Sequence, residues 1–401
     1  MSDDRTGGSG RDRLTVSLDV SAVPPSPAGA GRYTLELARA LSDRTDTDLV
    51  LISRRADAAR WRGLGPSGRP TLVAPRAPAA RPVRLAWEQA VLPFVLSSLR
   101  PDVHHSPHYT MPELARVPVV VTVHDTTYFD HPEWHERSKV LVFRRAIRVA
   151  ARRAAVVICV SATTAEHLRA VGPVVAPVVV APHGVDLERF TPVEPEPGAD
   201  AAALARLGVD AGRPFVAFVG TLEPRKGVAD LVAAFDRVAG RHPECLLVLA
   251  GQPGWGTDRL EAALAAATHR DRVVATGYVP DEAVPALLRR ASVVAYPSLA
   301  EGYGLPALEA LACGARLITT AGTAMAELSE GAAVLVAPGD VDQLAAALEA
   351  ALEGADPVGD DDRRRRGLEI AAQRTWAASA ACHVEAYRLA ASGRHPPHRA
   401  T

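Results

Sequence analysis

A chain of 401 residues, 48% hydrophobic and 23% charged, is too long for one small core and suits two domains of about 150 to 200 residues. Its formal net charge of −1 excludes a global field favouring nucleic acid, so any charged partner must be recognised locally. Cys159, Cys245, Cys313 and Cys382 lie far apart with no CxxC pair, which argues against a zinc knuckle or disulfide framework and suits reduced thiols in a cytoplasmic protein.

The chain opens with MSDDRTGGSGRDR, which has no apolar core of a signal peptide, and no later run reaches the about 18 uninterrupted apolar residues of a membrane span. Residues 1–13 are expected to be a disordered leader. Abundant Ala, Arg and Pro with few Lys and Met suits a GC-rich bacterial genome. Short β-branched runs then alternate with amphipathic stretches: RLTVSLDV, GRYTLELARAL, DLVLIS, later VPVVVTVHD and AAVVICVS. Strand, helix and strand repeated in this way imply parallel sheets with crossover helices. Prolines crowd residues 173–200, a candidate domain boundary. A second series follows: FVAFVG, a helix over 227–241, CLLVLAG, a helix near 258–268, RVVATGYV, a helix near 281–291, VVAYPS, and a helix opened by EGYGLP. The expected fold class is α/β, with two tandem doubly wound Rossmann-like domains over residues 14–185 and 186–375. A last helix is expected over 368–391. Its pattern does not fix the domain it packs on, and residues 376–392 are assigned to an element able to return to the first domain, before a disordered tail at 393–401.

The segment SLAEGYGLPALEALACG, residues 298–314, carries the most chemistry. As VVAYPS is a strand, Glu301 and Gly302 fall in a turn at the carboxyl edge of a parallel sheet, where open α/β folds bind ligands. Gly304, Leu305 and Pro306 open the helix, and the free N–H groups of its first turn can hold an anion such as a diphosphate. Glu309 follows Gly304 by five residues, a rise of about 7 to 8 Å, so its carboxylate still reaches a ligand across the helix end. Two acids flanking a phosphate site suit a nucleotide sugar, one accepting from ribose hydroxyls and one contacting the sugar. The plain alternative is a glutamate that favours the helix dipole and another on a solvent face.

Lys226 in EPRKG follows a strand and begins a helix, so it faces the same cleft, with Arg225 beside it. His124 and Asp125 end the strand VVVTV at a carboxyl edge of the first domain. Gly29, Gly31, Arg32 and Tyr33 occupy the first strand-to-helix turn, where Gly31 lets the backbone approach the diphosphate from the opposite wall and Arg32 or Tyr33 faces the acceptor. AGAGRY lacks a full G-x-G-x-x-G, which weakens a dinucleotide reading. His104, His105 and His108 lack helical spacing and a carboxylate or Cys partner, and neither DTD at 46–48 nor DVD at 340–342 follows a strand, so no metal ion is expected. In RSKVLVFRRAIRVAARRAAVV, apolar positions 140, 143, 147, 150 and 154 oppose Arg144, Arg145, Arg148 and Arg152. This suits either peripheral contact with an anionic membrane or a helix packed on its own sheet with a solvated basic face.

EGYGLPALEALACG resembles the E-x7-E signature of glycosyltransferase family 4, the retaining, nucleotide-sugar-dependent transferases of GT-B architecture. AGAGRYTLELARAL, VVVTVHDTTYFDHPEW, ICVSATTAEHL, VAPHGVDLERFTP and FVGTLEPRKGVADLVAAF resemble that family's successive segments, in order, from about residue 14 to 390. The resemblance implies that Lys226 and a nearby arginine neutralise the donor diphosphate within the loop of Gly220 and Thr221. Thr221 stands where many relatives have an arginine, so the second cation is assigned to Arg225. It further implies that Gly277, Tyr278 and Val279 meet the nucleobase through their backbone, and that Glu301, Gly302, Tyr303, Gly304, Leu305 and Glu309 contact the donor. His124 bonds the donor sugar or assists the acceptor hydroxyl, Asp125 orients its loop or touches the acceptor, and His105 and His108 contact the acceptor. The catalytic set is thus His124, Glu301, Lys226 and Arg225, with no cofactor. The motifs look most like mannosyl- and related hexosyltransferases of polysaccharide or glycolipid assembly, making GDP-mannose a first guess and leaving UDP-sugars open. The acceptor is a glycan, glycolipid or small molecule, and the place of work is cytoplasmic, with peripheral contact at the inner face of the cell membrane allowed. A sugar-nucleotide epimerase or phosphorylase of the same fold, or a catalytically silent sugar-nucleotide-binding subunit, is the alternative.

Overall fold

The computed structural model describes residues 13–62, 64 and 72–393, so the expected leader at 1–13 and tail at 393–401 lie outside the described residues except for Arg13 and Gly393. Strands β1 (Leu14–Asp19), β2 (Thr47–Arg54), β3 (Leu72–Ala77), β4 (Val103–Ser106), β5 (Val119–Val123), β6 (Val156–Cys159) and β7 (Val178–Val180) form one sheet in the order β3-β2-β1-β4-β5-β6-β7. Strands β8 (Phe215–Val219), β9 (Leu246–Ala250), β10 (Val273–Gly277), β11 (Val293–Tyr296), β12 (Leu317–Thr320) and β13 (Val334–Val336) form a second in the order β10-β9-β8-β11-β12-β13. Every pairing is parallel. Continuous runs such as VVVTV in β5 and LLVLA in β9 are buried at every position because helices cover both faces.

The strand order reverses between β1 and β4 in the first sheet and between β8 and β11 in the second. Loops leaving adjacent strands at such a point diverge to opposite faces and open a crevice at the carboxyl edge. Lys226 leaves β8 and Glu301 leaves β11, so sequence separation becomes proximity at one switch point. Asp19 leaves β1 and His108 leaves β4, which makes the corresponding crevice of the first domain.

The end of the chain corrects the expected helix over 368–391. Two helices, Pro357–Gln373 and Trp376–Ser392, are separated by a break at which Thr375 caps the second, its side chain accepting from the N–H of Ala378 at 3.1 Å. The first packs on the second domain through Gly367, Ile370 and Ala371. The second contributes Ala380, Val384, Tyr387 and Ala390 to the core of the first domain. The chain therefore passes between the domains twice, and the crossings touch: the N–H of Val185 donates to the carbonyl of Arg374 at 2.8 Å.

Buried imidazoles fix the returning helix. Tyr33 Oη lies 2.9 Å from Thr122 Oγ1 and 2.8 Å from His383 Nε2, while His105 joins Tyr387 Oη and Thr122 Oγ1, each at 2.8 Å. Tyr33 and His105 are fully buried with their polar atoms spent on this network, which corrects their expected place at the acceptor. Burial lowers the His104 pKa to about 3 and that of His383 to about 4, and holds His105 and His183 well below the ordinary value. Such groups are neutral when folded and titrate near 6.5 when unfolded, so the stability they confer is complete above 6.5 and is lost as pH falls below it. Each should cost about 1 kcal/mol between pH 6.5 and 5.5. Urea unfolding at pH 7.5 and 5.5 checks this. A loss of several kcal/mol is expected, and an unchanged midpoint would contradict it.

The helix Arg137–Arg153 buries Val140, Phe143, Ile147 and Ala150, with Ala154 buried just beyond its end. Its apolar face is spent on the first domain. On the other side Arg145 and Arg153 pair with Glu113, and Arg144 donates to the carbonyl of Tyr128 at 2.6 Å. Among the described residues no helix is long and apolar enough to cross a membrane, and all four cysteines are free.

Candidate active site

The loops leaving β8 and β11 are stitched together, with the N–H of Leu299 donating to the carbonyl of Arg225 at 2.7 Å. This sets Lys226 and Arg225 around Glu301. Lys226 Nζ contacts Glu301 Oε1, Arg225 Nη1 lies 3.2 Å from Oε2, and Arg225 Nε reaches Glu223 Oε1 at 2.5 Å. The Lys226 side chain is 12% exposed and that of Glu301 8%, so these charges act in a desolvated crevice rather than in bulk water. Burial alone would push the Glu301 carboxyl up, yet Lys226 and Arg225 outweigh it and hold the pKa near about 2. Burial and the neighbouring Arg225 lower Lys226 against the pull of Glu301. Glu223, the acid of EPRKG to which the sequence assigned no role, is the second counterion of Arg225.

The helix Leu305–Ala312 starts behind Gly304, whose φ of 100° and whose approach to Met325, 2.5 Å from where a Cβ would stand, admit only glycine. Gly302 is equally constrained, because a Cβ there would lie 1.8 Å from the carbonyl oxygen of His124 in the other domain. Its own carbonyl accepts from Ser161 Oγ at 2.7 Å and Thr164 Oγ1 at 3.0 Å. Glu327 adds a second interdomain contact by capping the helix Ala162–Ala170 at the N–H groups of Ala162 and Thr163, both 2.8 Å. Glu301, Gly302 and the helix end therefore face the first domain across the cleft.

Glu309 is buried and lies 3.2 Å from Arg32 Nη1, while Arg32 Nη2 is 2.6 Å from Asp281. Arg32 thus clamps the two domains together, which corrects its expected place at the acceptor. The side chains of Tyr303 and Leu305 are buried in the core, the Tyr303 hydroxyl donating to the carbonyl of His183 at 2.7 Å. Only their backbone is left to meet a donor. Gly31 is crowded by Pro24 and Pro27, whose side chains would lie 3.1 and 3.3 Å from a Cβ at that position, so its lack of a side chain serves the proline turn over the helix start. Gly220 and Thr221 follow β8, with Thr221 exposed. Gly277, Tyr278 and Val279 end β10 and enter the next loop, with Tyr278 exposed and Val279 buried.

His124 Nε2 lies 2.8 Å from the carbonyl of Pro107, an oxygen that can only accept. The imidazole therefore carries its proton on Nε2 and keeps the lone pair of Nδ1, and burial lowers its pKa so that it stays neutral. Asp125 accepts from the N–H and hydroxyl of Thr127 at 3.1 and 2.8 Å, which fixes the loop after β5. His108 lines a cavity of about 470 Å³ at the first-domain switch point, together with Asp19, Arg81, Arg84, Glu88 and Tyr128. The sequence reading missed that set, although Asp19, at the end of the run LTVSLD, obeys the same carboxyl-edge rule that located His124.

Of the two D-x-D motifs, Asp340 caps a helix by accepting from the N–H of Gln343 at 2.9 Å, and Asp46 pairs with Arg44 and Arg388. Among the described residues the group with metal-ligand proximity is His242, Glu349 and Glu353. It follows the far ends of its helices, away from the carboxyl edge, and Glu349 is already paired with Arg241.

Residues 27–189 match the family model described as Glycosyltransferase Family 4, and residues 201–370 match that described as Glycosyl transferases group 1. The O-antigen chain mannosyltransferase B of Escherichia coli is 28% identical over 317 residues, covering 77% of this chain and 78% of that protein. A glycogen synthase of Mycobacterium tuberculosis is 29% identical over 318 residues, 75% of this chain and 72% of its own. Among solved structures, a sucrose-phosphate synthase from Thermosynechococcus elongatus superposes with a TM-score of 0.75 at 22% identity, covering 94% of this chain and 98% of its own. Anabaena HepE in complex with UDP-glucose gives 0.71 at 20% identity, over 93% and 100% of the two chains. At those identities the structures speak for the fold, the paired α/β domains of the GT-B architecture.

Proposed function

Because the chain belongs to glycosyltransferase family 4, with one glycosyltransferase domain matched in each half, we propose that it transfers a hexose, with retention, from a nucleoside diphosphate sugar to an acceptor held by the first domain. The observation that carries this reading is the pair of partly buried cations, Arg225 and Lys226, sharing Glu301 beside the start of the helix Leu305–Ala312. A diphosphate lying on that helix end meets both cations, which share their charge between it and Glu301. As the bond from the anomeric carbon to the phosphate oxygen breaks, negative charge concentrates on the leaving oxygen, and a preorganised cation in a desolvated crevice stabilises it more than water would. The acceptor oxygen bonds the same face of the anomeric carbon while its proton passes to the leaving phosphate. Glu301, held ionised by two cations, positions the sugar and is poorly disposed to attack it. His124 offers Nδ1 to a donor-sugar or acceptor hydroxyl. Two side-chain cations supply the neutralisation that a metal ion gives elsewhere, which supports a metal-independent reaction without cofactor. The mannosyltransferase relative favours a GDP-mannose donor, and UDP-glucose in a structural neighbour keeps UDP-sugars as the second choice.

Thermal shift with GDP, UDP and ADP tests the reading. One base should stabilise the chain saturably, by about 2.7 kcal/mol at a hundredfold excess over Kd, and the matching nucleotide sugar should be slowly hydrolysed without acceptor. No shift with any nucleotide at millimolar concentration, and no hydrolysis, would overturn it.

A further inference from the structure

We infer that the acceptor is an anionic polyol, a phosphorylated sugar or headgroup whose anion is held by Arg81 and Arg84 while Asp19 and Glu88 take its hydroxyls. The inference rests on the proposed transfer reaction and adds the chemical class of its acceptor.

The first-domain cavity lies at the switch point between β1 and β4, the position that the donor crevice occupies in the second domain. Its volume of about 470 Å³ falls within the range of about 300 to 1,000 Å³ of small-molecule sites. Arg81 and Arg84 stand three apart on the helix Arg81–Ala90 and share one face. Among the described residues neither has a carboxylate within ion-pair distance, although the charge of Asp19 is felt at Arg84. Arg81 rests its guanidinium 5.5 Å from the Phe143 ring centre, and Arg84 is half-buried. A half-buried guanidinium whose carboxylate neighbour lies beyond ion-pair distance is costly unless a ligand supplies a closer partner.

The two carboxyl groups of the cavity do not cancel these charges. Glu88 is buried and accepts from Thr110 Oγ1 at 2.8 Å, and burial, then the charge of Asp19, raise its pKa to about 8, so it is mostly neutral at pH 7. Asp19 is occupied by the N–H of Ser21 at 2.8 Å. Lys139, the remaining lining cation, is paired with Glu136 at 2.6 Å. Two arginines thus face one charged carboxylate, and the surplus is positive. A neutral sugar would leave that surplus unmatched.

The cavity also points the right way. Tyr128 and His135 line it and both feel the charge of Arg225, and the ring of His108 is 5.7 Å from that of His124. An anion on Arg81 and Arg84 leaves the polyol between them and the donor.

The test is calorimetric titration of the full chain with glucose, glucose 6-phosphate and inorganic phosphate, and flotation with vesicles of phosphatidylcholine with or without phosphatidylinositol. The Lys226→Ala chain is run in parallel, so that an anion bound at the donor crevice is recognised by its loss there. Glucose 6-phosphate should bind at least tenfold more tightly than glucose. That difference should survive Lys226→Ala, fall tenfold or more in Arg81→Ala and Arg84→Ala, be largely kept in Arg84→Lys, and be unaffected by Arg365→Ala, a surface control. If the anion is presented by a lipid, phosphatidylinositol vesicles show the same dependence on Arg81 and Arg84, which also supports the inference. Should Arg84→Ala fail to fold, exposed Arg81 carries the test. Equal binding of glucose and glucose 6-phosphate without headgroup-dependent vesicle binding, or anion binding indifferent to both arginines, overturns it. Loss of anion binding with Lys226→Ala alone overturns it too. Nucleotide binding, measured separately, decides the donor reading.

Discussion

Alanine at position 226 should lower kcat/KM for sugar transfer by about a thousandfold, or about 4 kcal/mol of transition-state stabilisation. The expectation follows from where Lys226 sits: buried, fixed by the carboxylate of Glu301, and beside the helix end on which the leaving diphosphate is proposed to lie. A charge already desolvated and oriented costs no reorganisation when the leaving oxygen becomes negative. The fold should survive, because Glu301 keeps Arg225 at 3.2 Å. The cost in stability should be about 1 to 3 kcal/mol, that of one hydrogen bond to a charged group. Steady-state kinetics with circular dichroism as a folding control measures both. Activity within tenfold of the parent would remove Lys226 from the machinery.

Glu301→Gln should separate binding from turnover. The amide keeps the shape of the side chain but removes the anion that Arg225 and Lys226 share, leaving Glu223 as the counterion of Arg225. Without donor the variant should be less stable, because two partly buried cations lose a partner. A nucleoside diphosphate should bind at least as tightly as to the parent, since it no longer competes with a carboxylate for the same cations. Transfer should nonetheless fall by about a hundredfold or more, through loss of the group that positions the sugar. The stability difference carries its own pH signature. Glu301 titrates near about 2 when folded and near about 4.3 when unfolded. The gap between parent and variant should therefore be full above about pH 4.5 and close as pH falls toward 2. Weaker nucleotide binding with unchanged turnover would reverse the assignment.

The strand-to-helix turns that carry Glu301 and Lys226 were legible because their signals are local. A β-branched run, a glycine, a proline in the next turn and a following apolar period place Glu301, Gly302 and Gly304 at a strand-to-helix turn, and the parallel alternation places that turn at the carboxyl edge. Lys226 obeys the same rule after β8. Tyr33 and His105 depart from their expected place for the opposite reason. A hydroxyl or imidazole beside a glycine-rich turn looks ligand-facing, but the partner of Tyr33 is His383 and that of His105 is Tyr387, both on a helix that joins the first domain only after the whole second domain. Arg32 likewise found Glu309 and Asp281 across the cleft. The helical pattern over 368–391 runs across Thr375 without a break, although the assigned element 376–392 begins just after it; what interrupts the helix is the second interdomain crossing beside Val185. Arg81 and Arg84 carry no sequence signal, because only the packed structure shows them lining one cavity with, among the described residues, no carboxylate at ion-pair distance.

The central claim is that the donor diphosphate lies between the helix end at Gly304–Leu305 and the two cations that now share Glu301. A crystal structure of the full chain with the nucleoside diphosphate chosen by thermal shift measures this directly. The account predicts phosphate oxygens within about 3 Å of Lys226 Nζ and of the backbone N–H groups of Gly304 and Leu305. A nucleotide bound elsewhere, with Lys226 still paired to Glu301 alone, would contradict it.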